Sequence, residues 1–250
     1  MVLAEDTRVA DELLRHHGLR RPLLSCHDHN EAERAPEVVE RLRAGEDVAL
    51  LSDAGMPLVS DPGYRVVAAC VAAELPVTVL PGPCAAVTAL AGSGLPVDRF
   101  LFAGFLPPKE GARREALAEL GGVRATLVFY ESPRRLPELL TLLAETWPRR
   151  PVVVARNLTK RHEQWLRGTA AEVRELLGDE ERGEVTLLVG PAAEEALDDA
   201  AVEREITRLL GEGVDARQVR DRVAAWSGRP KREVYARVLA ARGAAADGAS

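Results

Sequence analysis

The chain has 250 residues, 46% of them hydrophobic and 29% charged, with a net charge of −6 and an isoelectric point near 5.5. That length and apolar content support a sizeable core in one large or two medium domains, and the acidic balance excludes a polyanion binder that works through overall charge. No apolar run reaches spanning length, and the three cysteines, Cys26, Cys70 and Cys84, lack C-x-x-C spacing. They read as reduced packing residues of a cytoplasmic protein with no membrane association.

In chain order, helical spacing runs from Glu5 to His17 and stops at Gly18. Pro22 to Cys26 reads as a short strand, Asn30 to Ala44 as a helix stopped by Gly45, and Val48 to Leu51 as a buried strand. Tyr64 to Glu74 is a helix, Val77 to Leu80 another strand, and Cys84 to Ala91 a small-residue helix ending at Gly92. Strands alternating with helices predict a parallel sheet with helical crossovers.

After "GLPVDRF" a second α/β unit is predicted, with strands at Phe100 to Phe105, Ala125 to Tyr130, Pro151 to Arg156, Glu163 to Leu166 and Glu184 to Val189. Its helices are expected at Gly111 to Leu120, Arg134 to Trp147 and Ala170 to Leu177. The hairpin-like "HEQWLRGT" makes this sheet mixed. Three helices follow, Val202 to Leu210, Ala216 to Trp226 and Lys231 to Ala241, before a disordered tail "GAAADGAS". The expected organisation is a domain over 1–94, a second over 98–190 and a basic helical region over 201–242. Gly213 to Arg242 carries eight Arg or Lys against three Asp or Glu. Val219, Val223 and Trp226 on one of its helices are expected to pack against Val234, Val238 and Ala241 on the next. Arg217, Arg220, Arg229, Lys231, Arg232 and Arg237 would then point outward toward phosphate.

Three loops follow predicted strands: "SDAGMP" after Leu51, "PGPC" after Leu80 and "YESPRR" after Phe129. Open parallel sheets bind ligands at strand carboxyl ends. Gly55, Gly82 and Ala85 would let backbone approach a ligand closely, and Asp53 would take an amine or a ribose hydroxyl. Asp61, ahead of Pro62 and Gly63, suits a turn or helix cap. Neither phosphate-binding glycine pattern is present, which favours a ligand with adenosine and an amino acid but no phosphates. "HDH" at His27 to His29 has no obvious third partner, and no metal is called for. "PPKEGARR", "SPRR" and "RNLTKRHE" set Lys109, Arg113, Arg114, Arg134, Arg135, Arg156, Lys160 and Arg161 around the same end of the second sheet, as a basic rim for a polyanion.

"LAEDTR", "SDAGMPLVSDPG", "PGPCAAVTAL", "FAGFLPPK", "FYESPRR" and "ARNLTKRHE", in that order, resemble the tetrapyrrole-methylase superfamily. Within it they are similar to the enzymes that 2′-O-methylate a cytidine of small-subunit ribosomal RNA. The resemblance implies two α/β domains with S-adenosylmethionine in the cleft between them, and a homodimer. It carries the donor site onto Ser52, Asp53, Gly55, Met56, Cys84, Ala85, Tyr130, Ala155 and Val185. It also implies a first strand and glycine loop ahead of Leu3, so the present start lies inside the family pattern. For methyl transfer to a ribose hydroxyl, Lys160, Glu163 and Lys109 are the candidate catalytic groups. The basic rim, with Arg229, Lys231 and Arg232, would hold RNA. The rival readings are a tetrapyrrole C-methylase and a non-catalytic RNA-binding remnant.

Overall fold

The computed structural model of the chain describes residues 1–178, 182–192 and 199–247. It is an α/β protein that divides into two compact units, Met1–Pro191 and Ala192–Ser250. The expected domains 1–94 and 98–190 both lie within the first unit. Among the described residues no helix is long and apolar enough to cross a membrane.

The first sheet is small and wholly parallel, with β1 (Val2–Ala4) between β2 (Leu23–Ser25) and β3 (Ala49–Leu51). The sequence reading has no strand at β1, since what makes these three residues a strand is their pairing with β2 on one edge and β3 on the other. Leu3 points to the core that α2 (Glu31–Arg43) and α3 (Tyr64–Ala72) close with Val38, Val39, Val66 and Cys70. The helix α1 (Thr7–His16) lies against β1 and β2. Its start is capped by Asp6, which accepts from the Arg8 N–H, and it stops ahead of Gly18 in the left-handed region.

The expected strand Val77 to Leu80 does not form. Among the described residues no strand pairs with this stretch, although the outer edges of β2 and β3 take no further strand. Without a ladder, β-branched composition does not make a strand. Val77, Val79 and Leu80 are left exposed, Leu80 at 78%.

The second sheet is mixed, in the order β4-β5-β8-β6-β7. Its strands are β4 (Phe100–Phe105), β5 (Thr126–Glu131), β6 (Pro151–Arg156), β7 (Gln164–Thr169) and β8 (Val185–Val189). The pair β4 and β5 is parallel, while β8 runs against both β5 and β6. So β4, β5 and β6 deliver their carboxyl ends to one side. Alternation divides the residues. Leu127, Phe129, Val152, Val154, Leu187 and Val189 pack on α5 (Glu110–Leu120), α6 (Leu136–Thr146) and α7 (Ala170–Leu176). Val128, Val153, Ala155 and Leu188 pack on α4 (Ala85–Ser93) through Ala86, Ala89 and Leu90. By packing, α4 therefore belongs to the second sheet, although it precedes residue 94. Each large apolar side chain closed in this way contributes about 1.5–3 kcal/mol.

The second unit has α8 (Asp199–Gly211), α9 (Ala216–Ser227) and α10 (Lys231–Asp247). Val202, Ile206, Leu209, Val219, Val223, Val234 and Val238 form its core. Trp226 is 46% exposed, contrary to expectation, because Ala216, Val219, Val223 and Ala224 already fill the inward line of α9. The last helix runs on to Asp247 through most of the expected disordered tail, and residues 248–250 lie outside the described residues.

Candidate active site

The loops after β1, β2 and β3 gather acid. Asp53 accepts a hydrogen bond from the Asp6 N–H at 3.2 Å. Burial, then Asp53, Asp61 and Asp28, push the Glu5 carboxyl up. Asp61 is pushed up as well, by burial first and then by Asp53. A negative field of this kind repels phosphate and suits a cationic ligand.

The stretch Ser52–Gly63 turns sharply. The Ser52 hydroxyl donates to the Gly55 carbonyl at 3.1 Å. Gly55 has φ 80°, and Leu58 and Ser60 are also left-handed, at 70° and 66°. Leu58 is costly there, since a bulky side chain resists that region by about 1–2 kcal/mol. Glu31 ties down the end of the loop: it accepts from the Gly63 N–H at 2.8 Å and pairs with Arg65 at 3.2 Å. Asn157 and Thr159 in the loop after β6 are left-handed too, at 51° and 63°. Strain of this kind collects at ligand sites, and it falls on two of the stretches singled out from sequence.

These loops meet one another. A Cβ at Gly55 would lie 3.6 Å from the Pro83 carbonyl oxygen, and one at Gly82 3.5 Å from the Met56 sulfur. Cys84 stands at the N-cap of α4 without capping it. Instead the Tyr130 hydroxyl, from the second sheet, accepts from the Ala86 N–H at 3.1 Å. Burial, the largest cause, pushes this phenol up to about 12, and a hydrogen bond with the Cys84 side chain raises it too, so it stays protonated. At the other end of α4, Arg167 donates to the Gly92 and Ser93 carbonyls. The Trp165 ring lies 2.6 Å from where a Gly92 Cβ would be, a close approach only glycine allows.

Ser52, Asp53, Gly55, Met56, Cys84, Ala85 and Tyr130 are thus set on loops and strand ends that touch. Ala155 faces the α4 side. Val185 does not: its side chain is in the opposite layer, and its strand is paired on both edges. The neighbouring Thr186 is in register with both Tyr130 and Ala155, on their side of the sheet, and is buried. A hydroxyl inside the apolar run "VTLLV" was the signal that sequence reading passed over.

The basic rim divides. Arg113 is buried and donates to the Pro107 and Pro108 carbonyls, while Arg135 donates to the Leu106 carbonyl and to Glu131. Both fix the loop that carries Lys109. Arg156 is buried and donates to the Arg182 carbonyl. Arg114 pairs with Glu110 and Glu145. Lys109, Arg134 and Arg161 are exposed. Of the catalytic candidates, Lys160 pairs with Glu184 at 2.9 Å. Glu163 accepts from the Trp165 indole and the Thr159 N–H, and these bonds hold its carboxyl below the usual range. A carboxylate so satisfied is a weak base. In the second unit Arg229 pairs with Asp199 and Glu233, Lys231 with Asp221, and Arg237 with Asp199. Arg220 pairs with Asp221 and lies over the Tyr235 ring. Arg217, Arg222 and Arg232 are exposed.

Residues 1–174 match the family of Tetrapyrrole (Corrin/Porphyrin) Methylases. The chain is 46% identical over 242 residues to the ribosomal RNA small subunit methyltransferase I of Micromonospora olivasterospora, covering 95% of this chain and 77% of that one. It is 43% identical over 239 residues to the protein of that name from Xylella fastidiosa, covering 94% and 88%. Among solved structures, diphthine synthase superposes with a TM-score of 0.57 at 12% identity, over 76% of this chain and 78% of that one. The methyltransferase CobJ superposes with a TM-score of 0.51 at 20% identity, over 77% and 94%, and the likeness to both is one of fold. With the fold, the touching loops and the span of these matches in agreement, the chain belongs to the tetrapyrrole methylase family and, within it, to the small-subunit ribosomal RNA methyltransferases I.

Proposed function

We propose that the protein is an S-adenosylmethionine-dependent methyltransferase that modifies the 2′-hydroxyl of a cytidine in small-subunit ribosomal RNA, and that it works as a homodimer. The observation that carries the reading is the convergence of the Ser52–Gly63 loop, the Pro81–Cys84 turn and Tyr130 on one place. The residues there fit the donor. Gly55, Gly82 and Ala85 leave backbone uncovered, Met56 and Tyr130 offer apolar surface, and Asp53 offers a carboxylate to an ammonium or to ribose hydroxyls. The acidic surroundings favour a cation over a phosphate ester. When bound, S-adenosylmethionine supplies a methyl group on a positively charged sulfur.

The chain's own work is to position and to stabilise charge. Holding the ribose hydroxyl in line with that methyl group accounts for much of the rate, on the order of 7 kcal/mol. Lys109, on the loop braced by Arg113 and Arg135, supplies positive charge to the oxygen as it loses its proton. Glu163 and Lys160 shape their own loop. Lys109, Arg134 and Arg161 hold phosphates near the site, and Arg217, Arg222 and Arg232 do so on the helical unit.

Transfer of labelled methyl from S-adenosylmethionine to small-subunit ribosomal RNA tests the reading, with the product nucleoside identified after digestion; no transfer to a cytidine overturns it. Asp53→Ala weakens donor binding by about 1.5–3 kcal/mol in calorimetry and leaves RNA affinity unchanged. Replacing Arg217, Arg222 and Arg232 with Ala flattens the salt dependence of RNA binding by about one unit of slope for each phosphate no longer held. Sedimentation equilibrium checks the homodimer against the 27.0 kDa chain mass.

A further inference from the structure

Phe105, at the carboxyl end of β4, is 58% exposed. Its direction is not the one a regular strand would give. Leu101 and Ala103 pack on the α5–α6–α7 layer and Phe102 on the α4 layer. Strict alternation would send Phe105 with Leu101 and Ala103. A register shift between Phe102 and Gly104 takes up one residue, so that Phe105 pairs with Tyr130. The ring therefore turns to the Tyr130 side, with centroids 5.8 Å apart and planes inclined by 60°. Phe102 packs edge-on against the same tyrosine at 4.9 Å. Bulges next to sites commonly re-aim a side chain in this way.

The bulge also fixes what lies beside the ring. Gly104 has φ 61°, and a Cβ there would lie 3.5 Å from the Ser60 hydroxyl of the first-sheet loop. Arg135 donates to the carbonyl of Leu106, the next residue, at 2.7 Å. Lys109 and Arg134 follow on the two strand-end loops, and both are exposed. An aromatic face in water with cations on the adjoining loops is the arrangement that stacks a base while phosphates are held alongside.

We propose that Phe105 is a stacking platform for a nucleobase of the RNA substrate, at or next to the nucleotide that is methylated. This rests on the RNA methyltransferase reading. The donor's adenine is the competing occupant. The cations on the adjoining strand-end loops favour a polyanion, whereas the acidic loops of the first sheet suit the cationic donor.

Phe105→Ala, Phe105→Leu and Phe105→Trp test it. The ring is exposed, so all three are expected to fold, with melting temperatures near the parent's. Fluorescence anisotropy with a cytidine-containing single-stranded oligoribonucleotide is expected to show binding weakened roughly 5- to 100-fold by Ala and by Leu, and restored by Trp. The added Trp emission is expected to be quenched by the oligonucleotide and not by S-adenosylhomocysteine, and calorimetry with S-adenosylhomocysteine to be unchanged throughout. Unchanged RNA affinity in Phe105→Ala overturns the proposal, and so does lost S-adenosylhomocysteine binding with RNA affinity kept, which would assign the ring to the donor. A parent protein that binds S-adenosylhomocysteine but no RNA overturns the reading beneath the proposal as well.

Discussion

All five residues of β8 and five of the six in both β5 and β6 are buried, whereas the first sheet buries only its central strand β1 and no residue of β2 or β3. The two sheets share one compact unit but differ in what covers them. The second has a helical layer on each face. The first has α2 and α3 closed over one face and the single short helix α1 against β1 and β2, and it is followed by an exposed apolar stretch that joins no ladder. The acid and much of the backbone strain sit on loops of the less buried sheet. Helix α4 is held at both ends by Tyr130 and Arg167 of the better buried one. The lesson is a division of labour: a dry sheet gives the site a fixed wall, and a small sheet gives it the bare backbone a ligand needs.

The largest expected effect tests the wall. Phe129→Ala, at a fully buried position in β5, should cost about 3–5 kcal/mol in denaturant unfolding. Leu50→Ala in β3, only partly buried, should cost about 1–2 kcal/mol. Equal losses would break the comparison.

Next comes the tie between α2 and the first-sheet loop. Glu31→Ala leaves the buried Gly63 N–H without its acceptor, for a loss of about 1–3 kcal/mol. Donor affinity should fall with it, since the same loop carries Asp53. Unfolding curves and calorimetry on one preparation separate the two effects, and stability lost with donor binding intact would detach this tie from the site.

The smallest effect concerns the acidic loops. The folded chain holds the Glu5 proton more tightly than the unfolded chain does. The native state therefore binds more protons, and this carboxyl opposes folding increasingly as pH rises from the ordinary carboxylate value through the raised one. Glu5→Gln removes that opposition. Its stability gain over the parent should be absent in acid and present above that window, within the about 0.5 kcal/mol typical of surface changes. A gain that does not vary with pH would show that the acid cluster exerts no such field.

Much of this was legible beforehand. The second sheet's strands and helices all form near their expected places, because short β-branched runs such as "VTLLV" and "PVVVAR" find paired strands on both edges. The loops of the candidate site were legible for a different reason: glycine and proline at strand ends announce turns by their own dihedral limits. Val77 to Leu80 misled because a strand is a property of a pair, and propensity says nothing about whether a partner is available. The basic rim was legible only in part, because an arginine such as Arg113 or Arg156 reads as a surface charge until backbone carbonyls such as those of Pro107, Pro108 and Arg182 are brought within its reach.

By itself, then, the sequence determined the element order apart from β1 and the stretch Val77 to Leu80, the mixed second sheet and the turn-rich stretches of the candidate site, since these follow from local periodicity and from residues with restricted backbones. Tertiary structure alone decided that α4 packs on the second sheet, that Thr186 rather than Val185 lies beside Tyr130, and that Phe105 faces outward. The first depends on which sheet face the helix covers, and the other two on strand register, which is set by which strands lie side by side rather than by any one residue's preference.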